Sequence, residues 1–281
     1  MKMKNLLEKS NAIEMLETYI EEMRMAELSQ HTINKYVLDI EQWLYASPVK
    51  ITKDTIVKYK ESLYIKYKAT SANSKIASIN RYLKWMRYDD LKIKARTICR
   101  QGVSNNIIGR EQYFRMLEYA YEHNKDKIYL IMKTMAQTGM RISELQYLTV
   151  EAIKNGYIEV WNKGKYRNII FTNSLCRELF GYCIDKDIAS GVIFCGRKKG
   201  KAITPGAVWK DLKHLAKQTG VPTKVVYPHA LRHLFAKEYM KSVGDISELS
   251  DLLGHSRIET TMIYTRTSID EKRRALEFLN L

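Results

Sequence analysis

Between Ala95 and Gly109 the chain loses all hydrophobic periodicity: the run ARTICRQGVSNNIIG gathers Gly, Ser and Asn and sustains neither a helical nor a strand pattern. A break of that length keeps its two flanks from sharing one continuous core. It therefore turns a 281-residue chain into two folding units. The boundaries it sets are residues 1–97, a linker at 98–109, and residues 110–281.

Ahead of the break the pattern is helical four times over. Ile13, Leu16, Ile20 and Met23 form one apolar stripe, and Ile33, Val37, Ile40 and Leu44 form a second behind a Ser29 cap. Ile56, Tyr59 and Leu63 follow Thr52, and TSANSKIASINRYLKWMR sets Ile76, Ile79, Leu83 and Met86 on one side. The other side of that fourth helix carries Asn73, Asn80, Lys84 and Arg87, with Lys75 and Arg81 alongside. Charge is uneven within this unit: residues 1–50 hold 6 Lys and Arg against 8 acids, residues 51–97 hold 12 against 4. A basic, amide-rich face is either a solvated surface or a set of phosphate and base-edge contacts, since both need the same residue types.

Beyond the break, REQYFRMLEYAYEHN and KDKIYLIMKTMAQTG read as helices, the second stopping at Gly139. Two β-rich arms, Tyr157–Trp161 and Tyr166–Phe171, flank a tight Asn-Lys-Gly-Lys turn and predict a hairpin. Helix then returns, with TPGAVWKDLKHLAKQTG opening on a Thr204 cap and Pro205. The fold class is mainly α with a small β-hairpin.

Composition narrows the partners. The 47 Lys and Arg against 31 Asp and Glu give +16, so a polyanion is the natural ligand, with nucleic acid ahead of membrane. No apolar run approaches the ~20 residues that span a bilayer, and the N-terminal MKMKNLLEKSNAIEML lacks the apolar core of a signal peptide. A cytoplasmic protein without membrane contact is the expectation. Cys99, Cys176, Cys183 and Cys195 show neither C-x-x-C pairs nor zinc-finger spacing and read as reduced, packed thiols.

Three short segments carry chemistry. YPHALRHLFAKEYM places His229 and Arg232 on one helix face, with His233 and Phe235 directed elsewhere, and TGMRISELQYL places Arg141 one turn before Glu144. In LLGHSRIETTMIYTR, His255 and Tyr264 would face about 180° apart on one straight helix. A stop at Gly254 and a capping box from Ser256 to Glu259 would turn the chain and let the two meet. Singly, each has a bland reading: a packed histidine, a surface ion pair, a core tyrosine.

As an ordered set, TGMRISEL, the lysine-bearing hairpin, HALRHLFA and LLGHSRIETTMIYT resemble the tyrosine recombinases of the phage-type integrase and Xer group, over essentially the whole chain. That resemblance implies an N-terminal four-helix SAM-like core-binding domain that clamps DNA and a C-terminal catalytic domain. It implies that Arg141 and Arg232 hold the scissile phosphate, that His255 donates to it, and that Tyr264 attacks phosphorus to leave a 3′-phosphotyrosyl link. His229 is the candidate proton acceptor and a hairpin lysine the acid for the leaving 5′ oxygen. Lys163 matches the position before the glycine, and Lys165 stays as its rival because the turn is a residue short. Glu144 orients the arginine. For the first unit, Lys68, Thr70, Ser71, Lys75, Arg81 and Lys84 become the candidate DNA contacts.

No metal or other cofactor is required by this set, and no Walker loop or carboxylate cluster is present in the sequence. The implied partner is double-stranded DNA at a specific core site, bound by a homotetramer on two duplexes, alone or with a partner recombinase, exchanging strands through a Holliday junction. The C-terminal SIDEKRRALEFLNL, with Ile269, Leu276 and Leu279, would dock on a neighbouring protomer or on its own domain. The chain opens on the clamp domain without an arm-binding module, which favours a short core site. Integration and excision of a mobile element is the leading role, with Xer-like resolution of plasmid or chromosome dimers, or inversion of a segment, as alternatives. A type IB topoisomerase would share the chemistry but not the linker and Xer-like spacing. A noncatalytic regulator would not keep competent side chains at all six positions.

Overall fold

The computed structural model describes residues 6–98, 107–162, 165–196, 200–255 and 258–262, together with Arg273 and Glu277. The chain divides into two compact units, residues 1–100 and 101–281. Among the described residues no helix is long and apolar enough to cross a membrane.

The first unit is built from α1 (Lys9–Met25), α2 (Gln30–Ala46), α3 (Lys53–Lys66) and α4 (Ala69–Trp85). A two-stranded clip precedes α1 and α3: β1 (Leu6–Glu8) pairs antiparallel with β2 (Lys50–Thr52), with Leu7 opposite Ile51, both fully buried. Three-residue strands carry no readable alternation, so the sequence did not announce them. Ser29 and Thr52 cap α2 and α3 by accepting from the backbone N–H groups of Thr32 and Thr55. The core face of α1 is turned from the expected stripe. Ala12, Leu16, Tyr19 and Met23 are buried while Ile13 is 52% exposed, because Tyr19 packs its ring on Tyr82 and Trp85 at 4.9 and 5.0 Å. An aromatic ring buries more area than an isoleucine and takes the inward position.

The second unit runs α5 (Arg110–Glu122), α6 (Asp126–Thr138), a 3-10 turn (Ile142–Tyr147), α7 (Val150–Asn155), β3 (Tyr157–Asn162), β4 (Lys165–Ile170), α8 (Asn173–Asp185), α9 (Pro205–Gln218), α10 (Pro228–Ser242), α11 (Ile246–Leu253) and a last 3-10 turn (Ile258–Thr260). Its core includes Ile131, Met132 and Met135 of α6, against which α10, α5 and α8 pack. The hairpin has Tyr157 opposite Ile170 and Trp161 opposite Tyr166. Ile158, Val160, Arg167 and Ile169 face inward, whereas Tyr157, Trp161, Tyr166 and Ile170 are exposed. Thr204 caps α9 through the Ala207 amide, with Pro205 at its first position.

Candidate active site

The site is organised by the C-terminal end of α11. The last carbonyls of a helix have no partners within it and carry the negative end of its dipole. Gly254 ends α11 in the left-handed conformation, φ +60°, and the exposed carbonyls are then taken by guanidinium groups from three other elements. Arg167 of β4 donates to Leu252 O. Arg232 of α10 donates to Leu253 O at 2.5 Å and to Gly139 O at 2.6 Å. Arg141, just after α6, lies 3.4 Å from both Leu253 O and Gly254 O. Arg232 is 1% exposed, so its charge is held by backbone dipoles and not by water.

Glycine is required at both corners of this arrangement. Gly139 has φ +62°, and a Cβ there would run into the Phe235 ring; a Cβ on Gly254 would run into the Arg167 stem. Between them the Arg141 turn is fixed by Glu144, whose side chain is 4% exposed. One carboxylate oxygen accepts from Arg141 Nη1 at 2.9 Å, and the other from the Arg141 amide at 2.6 Å and from Arg167 Nη2. The segment that follows Arg141 is a 3-10 turn, in which Glu144 reaches back to cap its own start.

Immediately after Gly254, His255 sits with Nε2 3.3 Å from Arg232 Nη2 and Nδ1 2.7 Å from the hydroxyl of Thr261, which is fully buried. A guanidinium only donates, so Nε2 is the acceptor and the ring proton lies on Nδ1, facing Thr261. Burial, then the charges of Arg232, Arg141 and Arg167, push the His255 pKa down to about 4. His229 is lowered as well, by desolvation and then by Arg232 and Arg141, and stays neutral at pH 7. Its neighbour His233 is not directed elsewhere: the i, i+4 spacing brings the two rings edge to face at 4.6 Å, and burial with His229 and Arg232 lowers His233 to about 4.

The structure thus brings together Arg141, Glu144, Arg232 and His255, with His229 within electrostatic reach. Tyr264, Lys163, the Ser256 cap and most of the C-terminal amphipathic segment lie outside the described residues, as does the side chain of Lys165. Arg167 was missed by sequence reasoning. Its signal was available in the hairpin alternation, where a charged residue takes an inward position beside Ile169.

On α4 the expected basic face is mixed. Arg81 and Lys84 are exposed, as are Lys68, Thr70 and Ser71 at the start of the helix. Lys75 is turned inward at 15% exposure, donating to Asp39 at 2.9 Å and Gln42 at 2.7 Å. The amides are also engaged: Asn80 exchanges two bonds with Ile93, at 2.7 and 2.9 Å, and Asn73 donates to Arg96 O at 2.8 Å. They pin the segment leaving α4, a structural use that neither of the two sequence readings of this face included. Among the described residues no group of three or more His, Cys, Asp or Glu is arranged to hold a metal ion.

Tyrosine recombinase XerA of Pyrococcus furiosus is 28% identical over 286 residues, covering 98% of this chain and 96% of that protein. A crystal structure of XerA recombinase matches 95% of this chain and 98% of its own at 25% identity and a TM-score of 0.54. A lambda integrase tetramer bound to a Holliday junction shares the fold over 93% of this chain and 78% of that one, at 18% identity and a TM-score of 0.72. The family model described as the phage integrase family matches residues 106–271, more than half of the chain, and the protein belongs to that family of tyrosine recombinases.

Proposed function

We propose that this site-specific recombinase cleaves and rejoins double-stranded DNA at a core site through Tyr264. The observation that carries the reading is the convergence of Arg141, Arg232 and His255 on the end of α11. Attack on a phosphodiester gathers negative charge on the nonbridging oxygens, and preorganised guanidiniums stabilise that charge without reorganising. Planar guanidinium forks suit bidentate phosphate contacts. A phosphate oxygen arriving at Arg232 replaces the imidazole as its acceptor; His255 then donates to the phosphate from Nε2 in its other tautomer, with Nδ1 accepting from the Thr261 hydroxyl, which can serve as donor or acceptor.

In this reading the Tyr264 oxygen bonds to phosphorus and its proton passes to His229, which is neutral and able to accept it. The bond from phosphorus to the 5′ oxygen breaks, and a hairpin lysine, Lys163 or Lys165, supplies the proton that makes this oxygen a leaving group. The 3′-phosphotyrosyl link keeps the energy of the broken bond. A 5′ hydroxyl from another strand reverses the chemistry without ATP, and the strands are exchanged. The helical first unit clamps the duplex, with Lys68, Thr70, Ser71, Arg81 and Lys84 against the backbone, and four copies act on two duplexes through a Holliday junction. Integration and excision of a mobile element is the role we favour over dimer resolution.

Covalent trapping tests this. Native protein and Tyr264→Phe are mixed with DNA fragments flanking the gene, denatured in detergent and resolved on a gel. A detergent-resistant adduct from the native protein alone is the expected result; tight, selective binding with no adduct overturns it.

A further inference from the structure

Arg167 takes no part in the reaction as written, yet it is 8% exposed and makes the contacts of a keystone between three elements. Its strand position points it inward from β4, opposite Val160. There Nη2 donates to Glu144 Oε2, the same oxygen that receives the Arg141 amide, and Nη1 donates to Leu252 O at the end of α11. Its stem lies flat against the space that a side chain on Gly254 would fill, next to His255. One arginine therefore holds the carboxylate that aims Arg141 and the end of the helix that seats Arg232, with its stem beside the residue before the histidine.

We propose that Arg167 is a positioning residue for cleavage, holding the Glu144 carboxylate and the last turn of α11 in the register that points Arg141 and His255 at the scissile phosphate. This rests on the reading of those groups as phosphate-holding. Only arginine suits the position, because two acceptors on different elements must be reached by two nitrogens of one rigid plane. Without it, Glu144 stays buried beside a single cation and Leu252 O loses a donor. The carboxylate then draws the Arg141 fork toward itself, away from the substrate. The charge balance shifts in the same sense: Arg141, Arg167 and Arg232 against Glu144 leave a net positive surplus for an incoming anion, and removing Arg167 lowers it by one.

The test uses the full chain, a suicide duplex made from the fragment on which the native protein forms its adduct, and a second duplex with a methylphosphonate at the scissile position, which removes one negative charge. Arg167→Met is expected to bind DNA within about threefold of native and to cleave the phosphodiester about 100-fold more slowly. On the methylphosphonate, where less charge must be held, its defect is expected to shrink by about tenfold. Arg167→Lys, which keeps the charge but has one nitrogen, is expected to fall between the two and to show the same substrate split; it decides the matter if Arg167→Met does not fold. A folded variant with unimpaired cleavage, or with an equal defect on both substrates, overturns the Arg167 role alone. Failure of the native protein to form any adduct overturns the reading of the whole site.

Discussion

Among the described residues each unit buries one carboxylate between two cations, Asp39 in the first and Glu144 in the second, and the two clusters do different things. In the first, Asp39, 5% exposed, accepts from Lys35 at 2.7 Å, Lys75 at 2.9 Å and Ser78 at 2.8 Å, tying α2 to α4. In the second, Glu144, 3% exposed, accepts from Arg141 and Arg167. The difference is donor number. An ammonium has three N–H groups, and Lys75 already serves Asp39 and Gln42 while lying 5.2 Å from the Tyr67 ring. A guanidinium has five in one plane, so Arg141 can hold Glu144 and lean on the α11 carbonyls while its fork still faces the open side of the site, where its side chain is 27% exposed. A carboxylate bridged by lysines is a brace; one bridged by arginines is a mount.

Exchanging the two chemistries separates the brace from the mount with the largest effect. Arg141→Lys and Arg232→Lys should each cut single-turnover cleavage by at least ~100-fold, or about 3 kcal/mol of transition-state stabilisation, although net charge is unchanged. Lys35→Arg should leave cleavage and binding near native. Full activity in Arg141→Lys would show that charge alone matters.

The brace itself is tested by Asp39→Ala, which should destabilise the first unit by about 2–3 kcal/mol, read from its urea midpoint. The pH dependence has a definite sign. Burial alone would raise the Asp39 pKa, but the hydrogen bonds from Lys35, Lys75 and Ser78 outweigh it and hold the pKa below 3.8. Its contribution is therefore present above the ordinary carboxylate range and lost as pH falls through the depressed pKa, and Asp39→Asn should flatten that part of the acid profile.

How far the sequence foresaw these two clusters follows from what each depends on. Periodicity and caps were legible: Ser29, Thr52, Thr204, Gly139 and Gly254 all act as helix starts or stops. The spacing of Arg141, Arg232 and His255 was legible through resemblance, because those positions keep their order. The direction of a long polar side chain was not. Lys75 and Arg81 both border the polar face of α4, and only the packing of α2 beside it decides that Lys75 turns inward to Asp39 while Arg81 stays exposed. Asn73 and Asn80 are likewise claimed by the irregular segment after α4, a contact between residues 13 and 23 positions apart and outside any local pattern. The inward position of Arg167 was readable in the hairpin alternation, but its partners, Glu144 and Leu252, were not, being 23 and 85 residues away.

A smaller effect probes what the mount does for its histidine. Thr261→Val keeps the shape of a fully buried side chain but removes the oxygen 2.7 Å from His255 Nδ1. Nδ1 then loses its hydrogen-bond partner and the ring is freed to turn. Cleavage should fall about tenfold, the worth of one buried hydrogen bond, with DNA affinity unchanged, and Thr261→Ser should restore most of it. Equal rates for the Val and Ser variants would mean that Thr261 only fills space.

The mildest test returns to α4, where the comparison predicts that cations alike in sequence behave differently. Arg81 and Lys84 are exposed, whereas Lys75 is bound to Asp39. If the exposed pair meets phosphates, Arg81→Ala with Lys84→Ala should weaken DNA binding about uniformly across sequences. It should also lower the slope of log affinity against log salt by about 2, one for each lost phosphate contact. Lys75→Ala should leave that slope within experimental error and lower the urea midpoint instead, since its charge neutralises Asp39 and not DNA. A drop in salt slope of about 1 for Lys75→Ala, half that of the double variant, would show that the Asp39 pair opens on DNA, and that the first unit's brace is also a mount.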